Sequence, residues 1–284
     1  MTGDAMTRGR RFPSGSPLVL AAAALLVVFC GFPFAWMFST AFKEAHEIFA
    51  TPPTLIPRTW TLENLQRLFV DTNVLTYLRN SVVVSFSTVA MTIGAATPAA
   101  YSLTRLRFRG REQIAGTVLF TYMFAPIMII VPFYVMMRFL GLANTHFGLV
   151  LAYTAFCLPF CLWMLRSFFQ GIPLDIEQAA MVDGANRFQT LLYVVVPLAV
   201  PGVAATSIFT FILTWNDYIF ARILISADEL KTLPVGIADL YNASVVDWGM
   251  IMAAGLLILA PVLGVFFVIQ RYMVAGLGAG ALKG

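Results

Sequence analysis

The chain has 284 residues, of which 60% are hydrophobic and only 11% charged, with a mean hydropathy of +0.83 and a formal net charge of +4. Soluble domains carry roughly 25% charged residues, so a water-soluble fold is excluded and lipid is the solvent. Backbone polar groups in lipid must be satisfied internally, and long apolar runs without period-two alternation select α-helices over a closed barrel.

Residues 1–16, rich in Gly, Ser and Arg, read as a disordered basic N-terminus. Residues 17–284 read as one transmembrane domain. About twenty apolar residues cross a bilayer core, and six such spans are expected, at about 17–41, 79–104, 114–139, 148–169, 195–222 and 247–270. Arg8, Arg10 and Arg11 precede the first span. Its apolar run exceeds a typical signal-peptide core and no small-residue cleavage site follows, so it reads as a retained anchor. With the N-terminus inside, eleven of the eighteen basic residues fall on the cytoplasmic side, densest in "RLRFRGR" after span two. That bias sets topology. The expected fold class is all-α: a polytopic membrane protein with six transmembrane helices, both termini cytoplasmic, and a short cytoplasmic helix between spans four and five.

The outer loop from about 42 to 78 contains "TPPTLIPRTWTLENLQRLF". Its prolines punctuate an extended segment, and Thr61 can N-cap a short helix that includes Glu63. Prolines recur inside the spans at Pro98, Pro126, Pro132, Pro159, Pro201 and Pro261, and each favours a kink. Cys30, Cys157 and Cys161 fit neither a disulfide framework nor a zinc site and read as small packing residues. His46 and His146 stand alone in external loops and read as solvated. There is no HExxH, GxSxG or Walker loop. The chain is therefore expected to be no enzyme, with no catalytic residue, no metal site and no cofactor of its own.

Near the outer end of span five stands "TWNDYIFAR" with Asn216 and Asp217. Two readings stay open. In one, Trp215 and Tyr218 anchor at the headgroups and Asp217 reaches water or Arg222. In the other, Asn216 and Asp217 belong to a gate or translocation path.

The coupling segment, about 173–197, lies within "GIPLDIEQAAMVDGANRFQTLLYVVVP". Pro173 suits a first helical turn. Asp175 and Glu177 sit near the positive end of the helix dipole. Gly184 stands where a left-handed cap would end the helix. Asn186 with Gln189 three residues on has capping-box spacing. A short helix, a sharp turn and a second helix entering span five are expected.

This stretch resembles the EAA signature of ABC importer membrane subunits: Glu-Ala-Ala, three residues, Gly, nine residues, then Ile-x-Leu-Pro. Gln178, Ala179 and Ala180 fill the head, Gly184 the glycine, and Val194, Val196 and Pro197 the end. The departure is Gln178 where the family has a carboxylate, with Glu177 one residue earlier. "FTFILTWNDYIFA" and "QRYMVAGLGAGALKG" are similar to the second permease subunit of maltose-type carbohydrate importers.

The resemblance implies a coupling helix, with Glu177, Gln178, Ala179, Ala180, Asp183, Gly184 and Pro197, docked into a cleft of an ATPase. It also implies a C-terminal tail, with Gly280, Lys283 and Gly284, at the interface of the two ATPase subunits. The implied partners are a different permease subunit, an ATPase dimer carrying ATP and Mg, an external solute-binding protein and the lipid of a bacterial inner membrane; no nucleic acid is implied. The implied function is ATP-driven import of sugars or sugar-like solutes by alternating access. An importer of glycerol phosphate, polyamine or phosphate would carry the same EAA pattern. An autonomous ion-coupled carrier would need more membrane carboxylates than this chain has.

Overall fold

The computed structural model describes residues 17–123, 126–242 and 245–281, with side chains described to Val268 in the last segment. Residues 1–16, assigned above to a disordered N-terminus, lie outside the described residues. So do Lys283 and Gly284 of the tail.

The chain is helical along its apolar runs. Helix α1 spans Pro17–Ala41. The loop after it holds α2 (Ala45–Ile48) and α3 (Glu63–Asp71). Then come α4 (Val74–Arg105), α5 (Arg111–Tyr122), α6 (Pro126–Phe139) and α7 (His146–Gln170). The segment expected to couple forms α8 (Leu174–Val182), α9 (Arg187–Thr190), a π-helical turn at Leu191–Val195 and α10 (Val196–Leu198). It leads into α11 (Val200–Asn216), α12 (Ile219–Leu224), α13 (Leu233–Tyr241) and α14 (Trp248–Ala281). Four helices, α1, α4, α7 and α14, are long and apolar enough to cross a bilayer. Among the described residues two bent pairs also pass on length and composition, α5 with α6 at 101° and Arg187–Leu198 with α11 at 81°, which makes up to six crossings if each pair is one span.

The structure corrects several expected boundaries. Span two starts at Val74 rather than about 79. The run expected as span three falls on two described helices, α5 and α6, set at 101°. The run 195–222 is broken twice. Ala199 separates α10 from α11, where Pro201 in the first turn of α11 lacks an N–H for the previous turn. At the other end Asp217 is extended (φ −70°, ψ 128°), and its Oδ1 accepts from the backbone N–H of Phe220 (2.9 Å) and Ala221 (3.3 Å). That side chain caps α12, so the helix stops before it. In α14 the backbone continues to Ala281, so Gly280 belongs to the helix instead of a separate tail.

Helices α4 and α7 form the most extensive pair, with α11 packed across both. Gly202 marks a close approach of α11 to α7: a Cβ there would sit 2.4 Å from the Phe168 ring. Buried threonines run along α11, and each hydroxyl donates within its own helix, Thr206 to Gly202 O, Thr210 to Thr206 O and Thr214 to Thr210 O. Thr88 does the same on α4. Trp215, expected at the headgroups, is instead 1% exposed, stacked on Phe211, and donates its indole N–H to Ile258 O of α14 (3.1 Å). A buried indole needs a partner for its N–H, and α14 supplies one.

The loops sort to two ends. At one end Asn80 of α4 donates to Glu229 O and Lys231 O, Asn144 binds the chain at Ser226 and Ala227, and His146 contacts Leu230 O (3.0 Å). His146 is therefore a structural contact, not a solvated loop histidine. The loop after α1 belongs to this end, where Glu47 is buried against Thr54 and the Arg58 N–H. The Thr61 hydroxyl accepts from Glu63 N (3.1 Å), but the residue at the cap of α3 is Leu62, one place later than expected.

Asp228 at this end accepts from Lys231 Nζ (2.7 Å), Asn73 (2.9 Å) and the Tyr77 hydroxyl (2.9 Å). The Lys231 bond, then Asn73 and Tyr77, hold its carboxyl below the usual aspartate range. A depressed folded pKa stabilises above the unfolded value, about 3.9, and the gain is lost as pH falls through the folded value. Hydrogen-exchange protection of residues 226–241, corrected for intrinsic rates, should be level between pH 5 and 7 and fall below about pH 4. Unchanged protection through that range would remove Asp228 as the fastener of these loops.

Candidate coupling surface and membrane cavity

The segment from Pro173 to Pro197 is built by local chemistry. Pro173 is the residue before the helix (φ −59°, ψ 136°), and Asp175 and Glu177 occupy the first turn of α8. The end of α8 carries a paired C-terminal cap: Gly184 N donates to Met181 O (3.2 Å) and Ala185 N to Ala180 O (3.0 Å). That pairing requires the left-handed residue between them, and Gly184 has φ +93°. Asn186 and Gln189 then bond reciprocally at 2.9 and 2.8 Å, a complete capping box that starts α9.

Glu177 faces inward. It is 2% exposed, and its Oε1 accepts from Arg105 Nε at 2.6 Å while Oε2 accepts from the Tyr101 hydroxyl at 3.1 Å. Arg105 also donates through Nη2 to Phe169 O (2.9 Å) and Ile172 O (2.7 Å). One guanidinium thus ties the end of α4 to the end of α7 and the start of α8. Sequence reasoning counted Arg105 only as a topology charge and missed this role. Its partner lies 72 residues away, and no local signal links the two.

Glu177 is accordingly not an outward carboxylate shifted by one place. One residue turns a helix by about 100°, and Gln178 is the side chain left exposed. Ala179, Asp183, Gly184 and Pro197 are exposed with it, and Ala180 is half-buried. Around them lie uncovered apolar side chains: Leu174, Ile176, Met181, Val182 (87%) and Phe188 (66%). A solvated helix has no use for such a face, whereas a protein partner covers it.

Asn216 and Asp217 part company. Asn216 is exposed and donates back to Ile212 O (2.9 Å). Asp217 lines a cavity of about 450 Å³ between α5, α6, α7, α11 and α12, walled by Tyr122, Tyr153, Phe156, Cys157 and Phe220 among others. The Tyr153 hydroxyl donates to Asp217 Oδ1 (2.9 Å). The Asp217–Arg222 pair is not formed; Arg222 binds Asp239 instead (3.0 Å). Cys157 and Cys161 are buried packing residues, the second against the Thr210 hydroxyl (3.2 Å), and Cys30 is exposed.

Comparison with known proteins gives a consistent picture. The family model described as binding-protein-dependent transport system inner membrane component matches residues 90–278. The chain is 38% identical to the inner membrane ABC transporter permease protein YcjP of Escherichia coli (strain K12), over 92% of this chain and 94% of that one. It is 35% identical to the trehalose/maltose transport system permease protein MalG of Thermococcus litoralis, over 94% and 96%. Among solved structures it resembles a chain of a bacterial ABC transporter involved in the import of the acidic polysaccharide alginate. That match has a TM-score of 0.80 and 25% identity, covering 90% of this chain and 95% of that one.

Proposed function

Because this chain belongs to the family of binding-protein-dependent transport system inner membrane components, we infer that it is one permease subunit of an ATP-driven bacterial importer for sugars or sugar-like solutes. The observation that carries the coupling role is the exposed, doubly capped α8–α9 turn bearing Gln178, Ala179, Ala180, Asp183 and Gly184. An ATPase subunit grips this turn, and Pro197 closes it where the chain bends into α11. Gly280, Lys283 and Gly284 meet the ATPase dimer from the C-terminal end. A second, different permease subunit completes the pathway, and an external solute-binding protein delivers solute at the opposite end. ATP and Mg act on the ATPase, where closure of the dimer moves the docked turn and turns the bundle outward. The relatives named for trehalose and maltose support a carbohydrate cargo.

The test is reconstitution. The chain alone should neither hydrolyse ATP nor move labelled sugar. Uptake should require the ATPase, the second permease and the binding protein together. Sugar uptake by the chain alone, driven by an ion gradient, would overturn the reading in favour of an autonomous carrier.

A further inference from the structure

We propose that the cavity around Asp217 is a solute site on this subunit and that it selects neutral sugars against acidic ones. The proposal rests on the importer reading above and adds where the solute is held and what charge it bears. At 1.5 Å per residue, Tyr153 and Pro159 lie about 11 and 20 Å along α7 from His146. Both line the cavity, which, counted from His146 as the edge, sits about the middle of a core about 30 Å thick. It opens beside the α5–α6 bend and the α11–α12 break, and irregular backbone at membrane depth is tolerated where it lines a cavity. Its volume of about 450 Å³ falls in the range of roughly 300–1,000 Å³ usual for small-molecule sites.

The lining chemistry matches a sugar. Tyr122, Phe156 and Phe220 offer aromatic faces for the C–H side of a pyranose. Asp217 supplies the polar group. Three donors, the Tyr153 hydroxyl and the N–H groups of Phe220 and Ala221, converge on Oδ1. These three bonds fall on Oδ1, and solute hydroxyls would meet the carboxyl at Oδ2. The three donors already spread the carboxylate charge, so a neutral polyol completes the site and a cation is not needed. No Lys, Arg or His lines the cavity. An acidic sugar would bring a negative charge into a low-dielectric setting whose described lining holds no counter-charge, and an unpaired buried charge is costly.

The importer, purified through a tag on this chain with its native partner subunits and reconstituted in vesicles, tests both parts. Maltose and trehalose serve as neutral probes and digalacturonate as the acidic one. Uptake of a neutral probe should exceed that of digalacturonate by about tenfold or more. Asp217→Asn keeps an Oδ1 acceptor for the α12 cap and should raise KM for the neutral probe about tenfold, with kcat changed less than about twofold. Photoreactive maltose and trehalose analogues on the unsubstituted complex should label peptides 153–159 or 213–220, with competition by the parent sugar. Neutral uptake with labelling confined to the partner permease would overturn the site while the importer reading stands. Preferred uptake of digalacturonate would overturn the charge selection. A complex that moves neither class under ATP would overturn the proposal together with the carbohydrate reading.

Discussion

Arg105→Met is expected to abolish transport while leaving the spans inserted. Methionine is close to arginine in length but carries no charge and no donors. The variant would leave Glu177 buried with only the Tyr101 hydroxyl, and would leave Phe169 O and Ile172 O without their guanidinium donor. Removing one partner of a buried ion pair costs about 3–5 kcal/mol, because the other charge stays uncompensated. That cost falls where α8 joins the bundle, so α8 should come away from α4. ATPase co-purification and uptake should each fall about tenfold or more. Arg105→Lys keeps the charge, but an ammonium lacks the fork that reaches one carboxylate and two carbonyls together, so it should be intermediate. Pairing Arg105→Met with Glu177→Met removes the stranded charge and should restore part of the co-purification. A single Arg105→Met complex that assembles and transports like the parent would show that this ion pair does not hold the turn.

Gly184→Val is the second large effect. Space is not the obstacle, since a Cβ at Gly184 meets nothing within 4 Å. The backbone is: φ is +93°, and a β-branched residue in that region is an outlier, at a cost of roughly 1–2 kcal/mol. The chain can relieve the strain only by giving up the bonds from Gly184 N and Ala185 N. That swings α9 relative to α8 and splits the docking face. The expected result is an assembly that hydrolyses ATP without moving sugar, or that loses its ATPase on purification. Gly184→Asn should be milder, because asparagine visits the left-handed region. Uptake at the parent rate in Gly184→Val would separate this turn from coupling altogether.

What was legible in the sequence follows the range of the interactions. Gly184, Asn186 and Gln189 were readable because caps are settled within six residues. The all-helical membrane class was readable because composition alone excludes water as the solvent. The span ends were less so: an apolar run looks the same whether Pro201 kinks a helix or restarts one, and the break at Asp217 depends on a side chain folding forward onto Phe220 and Ala221. Trp215 looked like a headgroup anchor because residue type does not say which neighbour approaches, and the neighbour is Ile258 on another helix. Whether Glu177 stood in for the docking carboxylate was not legible for the same reason. Its direction is fixed by Arg105 at the far end of α4, which belongs to a different span.

The threonine ladder along α11 bears on how such a bundle can move. Thr206, Thr210 and Thr214 spend their hydroxyls on their own backbone, as Thr88 does on the facing α4. Between helices the ties of α11 are few: the Thr210 hydroxyl against Cys161 Sγ of α7 (3.2 Å) and the Trp215 indole on Ile258 O of α14 (3.1 Å). Displacing α11 lengthwise by a fraction of a turn breaks none of the threonine-to-backbone bonds, because donor and acceptor travel together. The resistance is those two ties and the interlocking of side-chain shapes, such as Phe168 over Gly202, the second being the resistance of a shear plane. The firm polar fastenings stand toward the ends instead, at Arg105–Glu177 on one side and Tyr153–Asp217 on the other. With so few polar ties along α11, a push on the α8–α9 turn would be answered by sliding of that helix rather than by local melting.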